Sequence, residues 1–119
     1  MRKILVIDDQ LGIRLLLDEL FKKEGYKVQL ASNGSEGLQY FEQFAPDCIL
    51  LDMKMPGIDG ITVLKKLNEK KSKTPVFLMT AYEEFEQTKE ALQLGALKYF
   101  AKPFDIFQVR DEVNALFTN

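Results

Sequence analysis

The sequence predicts an α/β fold, a single doubly wound parallel sheet of five strands with five helices spread over both faces. Three observations lead there. Short apolar runs alternate with longer amphipathic segments from one end to the other. Three of the runs, ILVI, CILL and VFLM, are continuously apolar, as strands covered on both faces must be. The connections are short, with no linker, internal repeat or low-complexity stretch, and right-handed crossovers join such strands.

Each element follows from its own pattern. Ile4–Ile7 forms the first strand. Ile13, Leu16, Leu17, Leu20 and Phe21 then lie on one stripe of a helix, and Gly25 stands where a C-terminal glycine ends it. Lys27–Leu30 is the second strand, short and half polar, which an edge position explains. An Asn33-Gly34 turn opens a helix over Gly34–Phe44, with Leu38, Phe41 and Phe44 on one side. Cys48–Leu51 is the third strand. Asp59 caps the next helix, whose stripe is Ile61, Leu64 and Leu67. Val76–Met79 is the fourth strand, followed by a helix from Glu83 or Glu84 to Leu94 that Gly95 closes. Lys98–Ala101 is the fifth strand. Asp105 caps the last helix, which turns Ile106, Val109, Val113 and Leu116 inward.

Composition narrows the function. With 119 residues the chain fits one domain over 1–119, leaving no room for an output domain. Sixteen Lys and Arg against 18 Asp and Glu give a net charge of −2, which argues against a nucleic-acid binder working through bulk positive charge. Apolar runs of about four residues are far too short to span a membrane, and Met1-Arg2-Lys3 is followed by only Ile4–Ile7 before Asp8, unlike a signal peptide. One cysteine, Cys48 inside a strand, excludes an intrachain disulfide and suits a reducing cytoplasm. Histidine is absent, which removes Ser-His and Cys-His nucleophiles and His-ligated metals. A phosphohistidine would have to come from another protein.

The chemistry collects where the strands end. Asp8 and Asp9 follow the first strand, Asp52 the third, Thr80 the fourth and Lys102 the fifth. In a doubly wound sheet these ends share one edge, where ligands bind. Singly, each has an ordinary alternative: a turn aspartate, a helix N-cap, a surface lysine. Together, three carboxylates would repel and raise one another's pKa unless Lys102 or a cation compensates. Mg²⁺ suits such a cluster, because it takes one or two carboxylates and keeps several waters. A metal, a carboxylate, a hydroxyl and a lysine match phosphoryl transfer, with a carboxylate as the nucleophile. No GxxxxGK[ST] loop or kinase signature is present, so the phosphoryl group must be received from elsewhere.

These residues resemble the response-regulator receiver domain of bacterial two-component systems. The motifs are VIDDQ at the first strand end, LLDMKMPGIDG around Asp52, MTA at Thr80 and KYFAKPF at Lys102, and they span the chain. The resemblance implies a flavodoxin-like receiver fold with strand order 2-1-3-4-5. It implies Asp52 as phosphoacceptor, carried as a 4-aspartylphosphate, and Mg²⁺ held by Asp9, Asp52 and the backbone carbonyl of Lys54, with Asp8 assisting through water. Thr80 and Lys102 would bind the phosphoryl group, Lys102-Pro103 would be cis, and Tyr99 would be the switch aromatic, turning inward as Thr80 is drawn to the phosphate. Lys54 and Tyr82, both bulky, would shield the phosphoryl group, giving self-hydrolysis over minutes or longer. Ala81 leaves the nucleophile accessible.

More narrowly, DDQ-x-GIR-x-LL and KYFAKPFDI resemble the single-domain intermediate receivers of Bacillus sporulation phosphorelays, with Tyr99 where a histidine is expected. That implies a cytoplasmic, monomeric phosphoprotein rather than an enzyme. It would take phosphate from a sensor histidine kinase and pass it to a histidine phosphotransferase protein, with a phosphatase as a further partner. The rival within the family is a chemotaxis-type receiver that binds its target directly. A haloacid-dehalogenase-type phosphohydrolase needs a second Asp two residues beyond the nucleophile, and Lys54 and Gln10 stand there instead.

Leu11 and Leu15 lie roughly opposite the Ile13–Leu17–Leu20 stripe, beside Gly12 and above the acid cluster. They form a predicted docking patch with Gln10, Gly12, Ile13, Pro103 and Phe104; the alternative for Leu15 is cover by the last helix. The Phe104, Phe107 and Phe117 side chains are expected in the core, and Lys65, Lys66, Lys70, Lys71 and Lys73 on a solvated helix end.

Overall fold

A computed structural model describes residues 1–118, with the backbone alone at Tyr82. The elements alternate as β1 (Lys3–Ile7), α1 (Leu11–Lys23), β2 (Lys27–Ala31), α2 (Gly34–Phe44), β3 (Cys48–Asp52), α3 (Gly60–Glu69), β4 (Val76–Thr80), α4 (Phe85–Gln93), β5 (Lys98–Ala101) and α5 (Ile106–Leu116). A single 3₁₀ turn, Tyr82–Glu84, precedes α4. All strand pairs are parallel, in the order β2-β1-β3-β4-β5, so the half-polar β2 is indeed an edge.

The two-residue period of the strands splits the core into two layers. Leu5, Ile7, Ile49, Leu51, Val76 and Leu78 face α2, α3 and α4, where Leu38, Phe41, Val63, Leu64, Leu67 and Ala91 meet them. Ile4, Val6, Cys48, Leu50, Phe77, Met79 and Phe100 face α1 and α5, meeting Leu17, Phe21, Val109 and Val113. Because β1, β3 and β4 are buried on both faces, β1 is apolar throughout after Lys3, and β3 and β4 have no polar position until their last residues, Asp52 and Thr80.

Caps fix where the helices begin. Asn33 accepts from the Glu36 N–H, Asp59 from the Thr62 N–H and Asp105 from the Phe107 N–H. Gly25 ends α1 with φ +93°, a conformation that side chains disfavour.

Several side chains depart from the sequence pattern. Leu16 is 42% exposed, at the margin of the α1 stripe. It faces an open groove of about 350 Å³ between α1 and α5, lined also by Leu20, Ile106, Phe107 and Arg110. Phe107, expected in the core, is likewise exposed, with the Arg110 guanidinium over its ring. Leu15 is exposed, so α5 does not cover it. Phe44 is half-buried, its ring beneath the Lys3 ammonium. The fourth helix starts as a 3₁₀ turn because Glu84 folds back to cap the Ala81 N–H. Among the described residues no helix is long and apolar enough to cross a membrane.

Candidate functional site

The parallel register aligns the carboxyl ends of four strands. Ile7 pairs with Leu51, Asp52 with Met79 and Thr80 with Ala101, so Asp8, Asp52, Thr80 and Lys102 emerge along one edge. The Lys102 N–H donates to the Thr80 carbonyl at 2.7 Å, tying the last two strand ends together.

Asp8 and Asp52 are both buried, at 0% and 3% exposure, and Asp9 beside them is open to solvent. Carboxylate oxygens of Asp8, Asp9 and Asp52 lie within 4.8 Å of one another. Lys102 reaches in from the fifth strand end, its Nζ 3.3 Å from Asp8 Oδ2 and 3.3 Å from Asp52 Oδ1. The other Asp8 oxygen accepts from the Gln10 N–H, and the Asp8 carbonyl accepts from the Arg14 guanidinium. These bonds hold the β1–α1 turn and hence the direction of the Asp8 carboxylate. Beneath the site Gly60 approaches so closely that a Cβ there would lie 2.9 Å from Met53 Cα and 3.0 Å from the Asp52 carbonyl oxygen.

Burial, then the negative charge of Asp8, pushes the Asp52 carboxyl up to about 7, against the pull of Lys102. Burial would lower the Lys102 pKa, but the charges of Asp52 and Asp8 outweigh it and hold the ammonium protonated above its usual range. One lysine therefore does not fully offset the carboxylates. The donors are all oxygen, two buried and one solvent-facing, which fits Mg²⁺ with water completing its shell and excludes a soft-ligand metal.

Asp8, Asp9, Asp52 and Lys102 are thus brought together as the strand ends predicted. Thr80 is on the same edge, but its hydroxyl is bonded into the β4–α4 junction: 2.8 Å from Thr88 Oγ1, 3.4 Å from Glu84 Oε1 and 3.2 Å from the Ala81 carbonyl. Lys54 lies exposed in the loop after β3, and the Lys102-Pro103 bond is cis. Tyr99 is exposed on β5. The Tyr82 side chain lies outside the described residues. In the docking patch Gln10, Leu11, Gly12, Leu15 and Pro103 are exposed, whereas Ile13 and Phe104 are half-buried against the α1–α5 layer.

Sequence reasoning missed Glu84 and Thr88, both buried beside Thr80. Their spacing of four and eight residues from Thr80 was available, but one turn of helix brings them back only if the chain bends into α4 immediately after β4. It also missed Leu16 and Phe107 as surface residues.

This fold, with a buried aspartate flanked by a second aspartate and a lysine at the strand ends, defines the receiver class of signalling domains. The chain belongs to the response regulator receiver domain family, whose family model matches residues 4–114. It is therefore a receiver domain of a two-component system. It is 50% identical over 111 residues to sporulation initiation phosphotransferase F of Bacillus subtilis (strain 168), covering 93% of this chain and 90% of that protein. It is 41% identical over 114 residues to the regulatory protein AtoC of Escherichia coli (strain K12), covering 96% of this chain but 24% of that longer protein. Among solved structures, the receiver domain of the Francisella response regulator 1452 superimposes with a TM-score of 0.90 at 33% identity, covering 98% of this chain and 97% of that one.

Proposed function

We propose that the protein is the Mg²⁺-dependent phosphoacceptor of a phosphorelay, taking a phosphoryl group from a sensor histidine kinase onto Asp52 and passing it to a histidine phosphotransferase protein, in the control of sporulation initiation. The observation that carries this is the Asp52 carboxyl, buried at the strand ends with the Lys102 ammonium 3.3 Å away and the Asp8 and Asp9 carboxylates beside it.

In the forward step an Asp52 carboxylate oxygen attacks phosphorus in line with the N–P bond of the donor phosphohistidine. The O–P bond of the 4-aspartylphosphate forms as the N–P bond breaks. The bonding pair returns to the imidazole nitrogen, which takes a proton from water. Asp9, Asp52 and the Lys54 carbonyl would hold Mg²⁺, with Asp8 reaching it through water. When bound, the ion supplies positive charge to the phosphoryl oxygens. Lys102, already an ammonium beside Asp52, swings from carboxylate to a phosphoryl oxygen. The Thr80 hydroxyl donates to another, and the exposed Tyr99 ring turns inward behind it. The return step reverses these events on a second histidine.

With no histidine of its own, the chain depends on partners for both ends of this exchange, and it acts as a phosphorylated carrier rather than a turnover enzyme. The docking surface is the exposed Gln10–Gly12 turn with Leu15 and Pro103, to which Ile13 and Phe104 add their half-exposed sides. A sporulation relay is supported by the identity to the Bacillus subtilis phosphotransferase over nearly the whole of each chain. A monomer working in the cytoplasm, with a phosphatase as a further partner, completes the reading.

Labelling by a purified histidine kinase tests it, with and without EDTA, on wild type and Asp52→Asn. Transfer should need Mg²⁺ and Asp52, and a phosphotransferase protein should then remove the label. Label retained in Asp52→Asn would reject the assignment.

A further inference from the structure

The Thr80 hydroxyl has one proton and three acceptors within reach, Thr88 Oγ1 at 2.8 Å, the Ala81 carbonyl at 3.2 Å and Glu84 Oε1 at 3.4 Å. Thr88 Oγ1 donates its own proton to the Glu84 carbonyl at 2.9 Å. With that proton committed to the carbonyl, Thr88 Oγ1 is an acceptor for Thr80, 2.8 Å away, the shortest of the contacts that the Thr80 hydroxyl makes. Glu84 completes the junction: its carboxylate accepts from the Ala81 N–H at 2.7 Å and lies 3.4 Å from Thr80 Oγ1. Thr80, Glu84 and Thr88 are all buried, at 4%, 6% and 4% exposure, so water does not substitute readily for any of these bonds. A Thr80 hydroxyl spent on Thr88 cannot also donate to a phosphoryl oxygen on Asp52.

We propose that Thr88 is a positioning residue for phosphoryl binding: its hydroxyl holds Thr80 turned toward α4, and phosphorylation must break the Thr80–Thr88 hydrogen bond before Thr80 can serve Asp52. This deepens the proposed function and rests on its assignment of Thr80 as a phosphoryl ligand. The latch sets how readily the site accepts and keeps a phosphoryl group. It also joins the site to α4, because releasing Thr80 leaves Thr88 with a free acceptor on the inner face of that helix.

Thr88→Val keeps the side-chain shape and removes the nearest acceptor, which leaves the α4-facing orientation of Thr80 only the longer contacts to the Ala81 carbonyl and Glu84. Beryllofluoride, a phosphoryl mimic that binds an aspartate in the presence of Mg²⁺, is the probe. Thr88→Val should bind it about fivefold more tightly than wild type, the worth of one neutral hydrogen bond. Thr88→Ser, which keeps the hydroxyl, should match wild type. In a Thr80→Ala background Thr88→Val should change nothing, whereas a merely structural effect on α4 would persist there. A second readout needs neither metal nor mimic: three-bond couplings should show one Thr80 χ1 rotamer in wild type and an average in Thr88→Val and Thr88→Ala.

Unchanged or weaker affinity in Thr88→Val, an equal gain without the Thr80 hydroxyl, or a single Thr80 rotamer in the Val and Ala variants would each overturn the latch. Beryllofluoride binding that survives in Asp52→Asn would instead overturn the phosphoacceptor reading, and the metal-free rotamers would still decide the latch.

Discussion

Asp52→Asn should make the fold more stable at pH 8 and progressively less distinguishable from wild type toward pH 4. The Asp52 carboxyl moves from an ordinary 3.8 to about 7 on folding. At about 1.4 kcal/mol per unit, keeping it ionised costs the native state about 4 kcal/mol above pH 7. The sign follows from proton counts. Between these two values the unfolded chain has released the proton and the folded chain keeps it, so wild-type stability falls as pH rises through this window and levels off above pH 7. Asparagine has no proton to lose. Its amide oxygen still accepts from Lys102 but without the charge on that long 3.3 Å bond, leaving a net gain of about 2–4 kcal/mol at pH 8. Urea unfolding of both proteins in EDTA, from pH 5 to pH 8.5, measures this directly. The gap should widen by about 2–3 kcal/mol between pH 5 and pH 8 and stay constant beyond. Saturating Mg²⁺ should narrow it by favouring the ionised carboxylate. A gap independent of pH, or a less stable variant at pH 8, would refute the electrostatic argument.

Other perturbations read neighbouring parts of the site. Lys102→Met removes a cation held 3.3 Å from both buried aspartates, so Mg²⁺ affinity by calorimetry should rise about tenfold while phosphotransfer falls. Leu11→Asp changes a residue 60% exposed, so stability should shift by less than about 0.5 kcal/mol. Transfer from a partner kinase should nevertheless drop, with labelling by acetyl phosphate unaffected; wild-type transfer rates would remove Leu11 from the docking surface. Gly60→Ala pushes a methyl to 2.9 Å from Met53 Cα under the site, which should cost about 1–3 kcal/mol in denaturant unfolding and loosen Mg²⁺ binding.

The three central strands were legible because burial on both faces leaves runs of apolar residues, and the site was legible because a polar group stands where each of those runs stops: Asp8 after β1, Asp52 at the end of β3 and Thr80 at the end of β4. Parallel register then does the gathering: Asp8, Asp52 and Lys102 had to meet once the strand order was fixed. Helix margins were less legible. Leu16 and Phe107 sit at stripe edges, where their exposure depends on how far apart α1 and α5 stand, and nothing local encodes that distance. The orientation of Thr80 was invisible for another reason. A hydroxyl has three staggered positions, and which one is filled is decided by Glu84 and Thr88, residues brought near only by the 3₁₀ turn before α4.

If Asp52 carries the phosphoryl group, the modified residue can be located chemically. Protein phosphorylated by a histidine kinase in Mg²⁺ would be trapped with borohydride and mapped by peptide mass spectrometry. A single modified residue, Asp52, is expected, and none when EDTA is present. Modification at Asp8, Asp9 or a hydroxyl residue, or none in the presence of Mg²⁺ and an active kinase, would contradict that expectation.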